Sequence, residues 1–129
     1  MPHLELNQES LATLVHTFYD EVRADPVLAP VFNAAIGDHW APHLERMVEF
    51  WSTTMLKTKS FQGNVFGKHM ALNGIEPEHF QRWLTIFEAT AARLFAPAVS
   101  DEFTLVARRI AASLQFGFFG KVVVSGGAD

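Results

Sequence analysis

Apolar residues recur at steps of three and four along most of this chain, and this spacing constrains its fold more than any other feature. The segment SLATLVHTFYDEVRADP, which begins at Ser10, places its large apolar residues on one face. They are Leu11, Leu14, Val15, Phe18, Tyr19 and Val22. Such a period is typical of an amphipathic helix. Asn7 or Ser10 can cap its start, and Asp25 followed by Pro26 ends it.

Two further segments carry the same period. APHLERMVEFWSTTMLK (41–57) contains Pro42, and EPEHFQRWLTIFEATAARLF (76–95) contains Pro77. Proline is favoured in the first turn of a helix, where its missing N–H has no intrahelical partner. Each proline therefore predicts the start of a long helix.

The chain offers one more long helix and one weaker segment. SDEFTLVARRIAASLQFGFF (100–119) has the helical period, with Ser100 as N-cap and acidic residues at the next two positions. VLAPVFNAAIG (27–37) is interrupted by Pro30 and Gly37, which predicts a short irregular or 3₁₀-like piece. We expect an all-α fold with four substantial helices and no strand hairpin.

Length and composition predict a single domain over residues 1–129. An N-terminal arm of about residues 1–8 and a frayed tail of about residues 122–129 should flank the helices. Hydrophobic residues make up 49% of the chain, which excludes disorder as a whole. No oligomer seam stands out in the pattern, so we expect a monomer.

Charge and cysteine content exclude several classes of function. The net charge is −4, without the basic patch that nucleic acid or an anionic membrane requires. No apolar run reaches the roughly 18 residues of a membrane span. The N-terminus, MPHLELNQES, has no secretory pattern. The absence of cysteine removes disulfides, thiolate metal sites and thiol catalysis, and we expect a cytoplasmic protein.

Histidines are then the main candidate ligands or acid–base groups. Three of them are expected to face water or the boundary of the core: His3, His16 and His79. His39 and His43 are four residues apart, a spacing that can hold a metal on a helix. Pro42 places the helix start after His39, so these two rings should diverge.

His43 and His69 have more informative surroundings. His43 lies at the edge of an apolar stripe, where a buried histidine with one satisfied nitrogen is the ordinary outcome. His69 lies in NVFGKHMALNGIEP (64–77), beside Gly67. Isolated helices shorter than about 12–15 residues are marginal in water, and glycine weakens them further. Two histidines on separate segments facing an aromatic-rich core indicate something bound between them.

Four motifs in order resemble those of the truncated haemoglobins, specifically the group III branch. They are FYDEVRADPVLAPVF (18–32), WAPHLERMVEFW (40–51), FGKHMAL (66–72) and HFQRWLTIFEAT (79–90). The resemblance covers nearly the whole chain, and the glycine-pair motifs of the other two groups are missing. It implies a compact two-over-two helical sandwich that holds a b-type haem.

The resemblance also implies roles for particular residues. His69 corresponds to the proximal iron ligand, whose bond to iron would tie down its short helix. Tyr19, His43 and Trp83 correspond to the lining of the distal pocket. The residues implied to contact or support the haem are Phe18, Phe32, Met47, Trp51, Phe66 and Phe87. Arg46, Lys59 and Lys68 have the charge to pair with the haem propionates, although surface solvation is expected for each.

The implied distal residues favour reaction over oxygen delivery. Tyr19 offers an O–H, Trp83 an N–H, and His43 an N–H in one tautomer. Two hydrogen bonds of about 1.5 kcal/mol or more to a polarised ligand would slow its release roughly a hundredfold. Reversible binding of O2, CO and NO is expected. Its function would be peroxide reduction, nitric oxide dioxygenation or ligand sensing. Turnover would need an unidentified reductase.

Two other functions stay open from the sequence. If His43 also binds iron, the chain would be a six-coordinate electron-transfer haem protein with His43 and His69 as ligands. A cofactor-free helical interaction module would use the same stripes only as a core. In that case Tyr19 would be a buried phenol bonded to a backbone carbonyl, and Trp83 would fill space.

Overall fold

The computed structural model describes residues 3–56 and 75–120, and all regular structure in this part of the chain is helical. The helices are α1 (Gln8–Ala24), α2 (Leu28–Ile36), α3 (Trp40–Leu56), α4 (Pro77–Leu94) and α5 (Pro97–Phe119). The predicted all-α class is confirmed. The predictions for Phe66, His69 and the tail 122–129 lie outside the described residues.

The start of α1 is fixed by a reciprocal pair of hydrogen bonds. Asn7 Oδ1 accepts from the Ser10 backbone N–H at 2.9 Å, and Ser10 Oγ accepts from the Asn7 backbone N–H at 3.0 Å. This capping box satisfies backbone donors that a helix start otherwise leaves unpaired. Asn7 is therefore the N-cap, and the predicted apolar stripe of α1 is fully buried.

The prediction of an irregular segment at 27–37 was wrong, because most of it forms α2. Pro30 is the third residue of that helix, where a missing N–H breaks no intrahelical hydrogen bond. Asp25 Oδ2 accepts from the backbone N–H groups of Val27 at 3.0 Å and Leu28 at 2.8 Å. The first turn of α2 is therefore stabilised by a carboxylate that precedes it.

The predicted N-cap of the last helix was also wrong. Helix α5 begins at Pro97 with Ala96 as N-cap, four residues before the expected N-cap Ser100. Ser100 lies inside the first turn, and its Oγ donates to the Pro97 carbonyl at 3.3 Å. The proline set the start because its fixed φ suits the first helical position.

The helices form two packed pairs, α1 with α3 and α4 with α5, which meet where α1 crosses α4. This is the two-over-two arrangement that the resemblance implies. Polar groups tie the crossing together at its edge. Thr90 Oγ1 donates to Glu21 Oε2 at 3.0 Å, and the Arg93 guanidinium donates to the same carboxylate.

A second polar connection joins α4 to the junction of α1 and α2. Arg82 donates to both carboxylate oxygens of Asp25, with its Nε 3.1 Å from Oδ2. The hydrogen bond from Arg82 holds the pKa of Asp25 below its ordinary value. With its two backbone N–H bonds, Asp25 connects the end of α1 to the start of α2 and to α4. None of the helices described here has both the length and the apolar character needed to cross a bilayer.

Candidate functional site

A cavity of about 390 Å³ lies between the helices, and all five of the described helices contribute to its lining. This volume is within the range of roughly 300–1,000 Å³ that is usual for small-molecule sites. Most of the lining is aliphatic or aromatic. Among the described residues, the lining side chains that carry a charge, a hydroxyl or an imidazole are Tyr19, His43, Arg46 and His79. The cavity is therefore suited to a large apolar molecule with a few polar contacts.

The structure places nearly all the described candidate residues at this cavity. They are Phe18, Tyr19, Phe32, His43, Met47, Trp51 and Trp83. Phe87 does not line it; it lies one layer behind and is only 1% exposed. Helical periodicity placed Phe18, Tyr19, Met47, Trp51 and Trp83 on inner faces, whereas Phe32 was assigned only through the family resemblance. The packing of α1 to α4 brings them to one space.

One wall of the cavity is backed by three parallel rings, called here the aromatic stack: Trp51, Phe87 and Trp83. The ring centroids of Trp51 and Phe87 are 5.2 Å apart, with 17° between the planes. Those of Trp83 and Phe87 are 5.6 Å apart, with 10° between the planes. Phe18 meets Trp83 edge-on at 5.7 Å. These offset and edge contacts are the favoured aromatic geometries and hold both indoles in place.

A second group of rings, called here the aromatic corner, consists of Tyr19, Trp40 and His43. The Tyr19 and His43 rings are 5.1 Å apart and nearly perpendicular. Tyr19 also contacts Phe32 at 6.0 Å. Burial raises the pKa of the Tyr19 hydroxyl above its ordinary value. A tyrosine hydroxyl is protonated at neutral pH even at its ordinary pKa, so this one can donate a hydrogen bond and burial keeps it protonated into more alkaline solution.

Trp83 is connected to the aromatic corner through Phe18. The Phe18 ring contacts Tyr19 at 4.8 Å and Trp83 at 5.7 Å. The three candidate donors, Tyr19, His43 and Trp83, therefore line the same cavity. Tyr19 and His43 are in direct ring contact.

Comparison with known proteins agrees with this geometry. The chain is 33% identical over 113 residues to the group 3 truncated haemoglobin ctb of Campylobacter jejuni. The match covers 85% of this chain and 89% of that relative. This chain belongs to the group III truncated haemoglobins. No family model matches it.

The solved structures give the same family. The crystal structure of the group III truncated haemoglobin from Campylobacter jejuni matches with a TM-score of 0.87 and 31% identity. The superposition covers 92% of this chain and 96% of that one. The two-over-two globin fold is therefore confirmed.

Membership of the truncated haemoglobins implies a haem cofactor, and the described residues fit one. Flat aromatic faces with Phe18 and Met47 beside them give an apolar lining for a macrocycle. Haem also carries two carboxylates, which need polar or cationic neighbours. Arg46 lines the cavity, and one of its nitrogens lies 4.0 Å from the Glu49 carboxylate. The cavity of this globin thus offers apolar surface for the macrocycle and a cationic side chain for the carboxylates.

His79 is a cavity residue that the sequence prediction missed. It was expected to face water, but it is half-buried and lines the cavity. His79 and Trp83 are four residues apart on α4, and this spacing was the available signal. The Glu76 backbone N–H donates to His79 Nδ1 at 2.9 Å. A neutral His79 then carries its proton on Nε2, so neither nitrogen has a lone pair free for a metal.

The lining from α2 was missed for a related reason. Val31, Ala35 and Ile36 face the cavity together with Phe32. Their spacing of three and four residues is helical, but Pro30 directed the prediction toward an irregular segment. A proline in a first turn does not interrupt the period that follows it.

The remaining described histidines lie outside the cavity. His3 and His16 are exposed, as expected. The His39 side chain is 82% exposed, with its Nδ1 3.4 Å from Asp38. His43 instead lines the cavity, so the two rings diverge as predicted. Within residues 3–56 and 75–120, no three histidine or carboxylate side chains gather to hold a metal ion.

Proposed function

We propose that this truncated haemoglobin binds a b-type haem through His69 and uses the cavity to hold diatomic gases or peroxide for reaction. One observation carries the proposal: a flat apolar wall and a protonated phenol in contact with an imidazole share one cavity. The resemblance of FGKHMAL supports His69 as the iron ligand. The chain contains no cysteine, so a haem would be held without thioether bonds.

Different parts of the cavity would hold different parts of the cofactor. The Trp51 and Met47 side chains offer apolar surface, which is favourable to bury against a macrocycle. Arg46 and the Nε2–H of His79 are suited to its carboxylates. When bound, a haem supplies an iron centre at which small ligands bind and exchange electrons.

Tyr19 and His43 would act on the ligand. The Tyr19 hydroxyl can donate a hydrogen bond at neutral pH, because its ordinary pKa is about 10 and burial raises it further. His43 adds an N–H in one tautomer, and the Trp83 indole offers a third donor. Each hydrogen bond to a polarised ligand is worth about 0.5–3 kcal/mol, which slows release and favours reaction over oxygen delivery. Peroxide reduction and nitric oxide dioxygenation fit this arrangement, with a separate reductase supplying electrons.

The first test is an absorption spectrum of the purified protein, ferric and then reduced with dithionite, with and without carbon monoxide. We expect a Soret band that shifts when carbon monoxide is added, because the proposal has His69 as the only protein ligand of the iron. A haem that binds but fails to respond would favour the electron-transfer alternative with His43 and His69 as ligands. A colourless chain that takes up no haemin would overturn the proposal.

The second test assigns the iron ligand by a matched pair of histidine variants. His69→Gly should lose haem or bind it weakly. His79→Ala should retain haem, because the hydrogen bond from Glu76 occupies the Nδ1 lone pair of His79. Haem content per chain after gel filtration measures both. Retention in His69→Gly with loss in His79→Ala would reverse the assignment.

A further inference from the structure

Trp40 touches the candidate site without lining the cavity. It is the first residue of α3 and is only 8% exposed. The first turn of a helix has backbone N–H groups without intrahelical partners and is prone to fraying. A large buried side chain at this position therefore anchors the end of α3 that carries His43.

The Trp40 ring is held from two other helices. Its Nε1–H donates to Asn33 Oδ1 on α2 at 3.1 Å. On α1, the guanidinium carbon of Arg23 lies 4.5 Å from the ring centroid, a cation–π arrangement. Both Arg23 and Asn33 are exposed residues that turn a polar group toward this ring. The hydrogen bond to Asn33 thus restrains the indole within its plane, and the Arg23 guanidinium restrains it from one face.

His43 is the residue that this fixed indole meets. The two residues are three apart on α3 and so share a face. Their rings are 5.7 Å apart at 86°, while Tyr19 meets His43 at 5.1 Å and 84°. Tyr19 and Trp40 contact each other at 5.8 Å. The buried rings of Trp40 and Tyr19 therefore both contact the His43 ring, and each is nearly perpendicular to the imidazole plane.

We propose that Trp40 is a positioning residue that holds the His43 imidazole edge-on against Tyr19 and so sets where its N–H points in the cavity. The proposal deepens the proposed function and rests on it, because His43 acts on a ligand only in the haem-loaded chain. Trp40 itself touches neither ligand nor cofactor. Asn33 and Arg23 act one step further out, by keeping the indole in place.

The test compares three variants in the haem-loaded, ferrous carbon monoxide complex. Trp40→Ala removes the ring, Trp40→Phe keeps an aromatic ring without the N–H, and Leu44→Ala is the matched control. Leu44 is a half-buried neighbour of His43 that packs on the core without lining the cavity. All three variants perturb the same end of α3, and Trp40→Ala alone removes the aromatic contact with His43.

The primary readout is the C–O stretching band, which reports the polarity at the bound ligand. We expect Trp40→Ala to split or broaden it, because the His43 ring gains orientations. Ligand dissociation should change by about two- to tenfold, the equivalent of one hydrogen bond. Trp40→Phe keeps a ring against His43 but loses the bond to Asn33, so it should broaden the band less than Trp40→Ala does. Leu44→Ala should lower the unfolding temperature but leave the band unchanged.

The outcomes separate this proposal from the proposed function. If Trp40→Ala leaves the band unchanged while His43→Ala moves it, Trp40 does not position His43. A shift in Leu44→Ala as large as that in Trp40→Ala would also overturn the proposal.

If the wild type takes up no haem, the proposed function fails. Nuclear Overhauser contacts between the His43 and Tyr19 rings in the purified chain then test positioning alone. They should weaken in Trp40→Ala and persist in Leu44→Ala.

If Trp40→Ala does not fold, Asn33→Ala gives the same test in a milder form. It removes the acceptor of the indole N–H and leaves the ring itself intact. A partial broadening of the C–O band is then expected. An unchanged band would count against the proposal.

Discussion

The two ends of α3 hold tryptophans that differ in what surrounds them. Trp51 lies in the aromatic stack, nearly parallel to Phe87, and offers apolar surface to the cavity. Trp40 lies in the aromatic corner, where it meets two rings edge-on and its N–H is hydrogen-bonded to Asn33. The stack depends on buried area, whereas the corner depends on directed polar and edge contacts. Removing a buried ring should therefore destabilise the aromatic stack, whereas removing single polar atoms should disturb the aromatic corner.

The largest effect is expected in the aromatic stack. Phe87→Ala removes a ring that is 1% exposed and stacked on two indoles. We expect a loss of about 3–5 kcal/mol in the free energy of unfolding, measured by denaturant titration. Phe116→Ala is the control, because Phe116 is 65% exposed, and its loss should stay within about 0.5 kcal/mol. Equal losses in the two variants would refute the burial-based account of the stack.

The next effect concerns the polar connection from Arg82 on α4 to Asp25 at the junction of α1 and α2. Asp25→Asn keeps the shape of the side chain but weakens its bonds to Arg82 and to the start of α2. We expect a loss of about 1–3 kcal/mol at neutral pH. Glu88→Gln is the control, because its partner Arg108 is 62% exposed, and exposed pairs contribute about 1 kcal/mol or less.

This effect should depend on pH in a defined direction. The pKa of Asp25 is below its ordinary 3.8 in the folded chain, chiefly because Arg82 bonds its carboxylate. The stabilisation is therefore complete when the pH is above the ordinary pKa of 3.8. It is lost as the pH falls through the lower pKa that Asp25 has in the folded chain. The difference in unfolding free energy between wild type and Asp25→Asn should shrink below about pH 4. A difference that grows in acid would contradict this sign.

A smaller and more local effect is expected in the aromatic corner. Tyr19→Phe keeps the ring area and removes only the hydroxyl. We expect ligand dissociation to become about two- to tenfold faster, with little change in unfolding temperature. Flash photolysis and stopped-flow mixing measure the rate. Trp83→Phe tests the indole N–H in the same way, and the double variant is needed because neighbouring donors are not additive. An unchanged rate in Tyr19→Phe would remove the hydroxyl from the proposed function.

The smallest effect is expected at Ser52, which follows Trp51 on α3. This residue is fully buried, and its Oγ finds no hydrogen-bond partner within the described residues. Ser52→Ala should therefore change the free energy of unfolding by less than about 1 kcal/mol, or raise it. Thr90→Val is the matched control, since its buried hydroxyl bonds both Glu21 and the Ile86 carbonyl. A larger loss at Ser52 than at Thr90 would show that its hydroxyl is satisfied.

The long helices could be predicted from the sequence because each repeats its apolar face over several turns. For α1, the stripe and Asp25–Pro26 predicted the end, while the start was left between Asn7 and Ser10. For α4, Pro77 predicted the start. Helix α2 was missed because it spans nine residues and contains Pro30 in its first turn. Ser100 was chosen as a cap because its side chain and the following acids suit that role. Pro97, which lies earlier, had the stronger local preference.

The site was only partly predictable. Helical spacing placed Tyr19, Trp51 and Trp83 on inner faces, and the resemblance to the truncated haemoglobins assigned them to one pocket. His79 was misplaced, although its spacing from Trp83 was visible. Trp40 was not singled out at all, because an aromatic residue just before a predicted helix start has no period to assign it to a face.

The sequence by itself determined the all-α class, the inner faces of the long helices and the family to which this chain belongs. These properties follow from local spacing and ordered motifs, which need no knowledge of how helices pack. The tertiary structure decided which rings meet. It placed Trp40 against His43 and turned His79 into the cavity, because such contacts depend on the crossing of helices that are far apart in the chain.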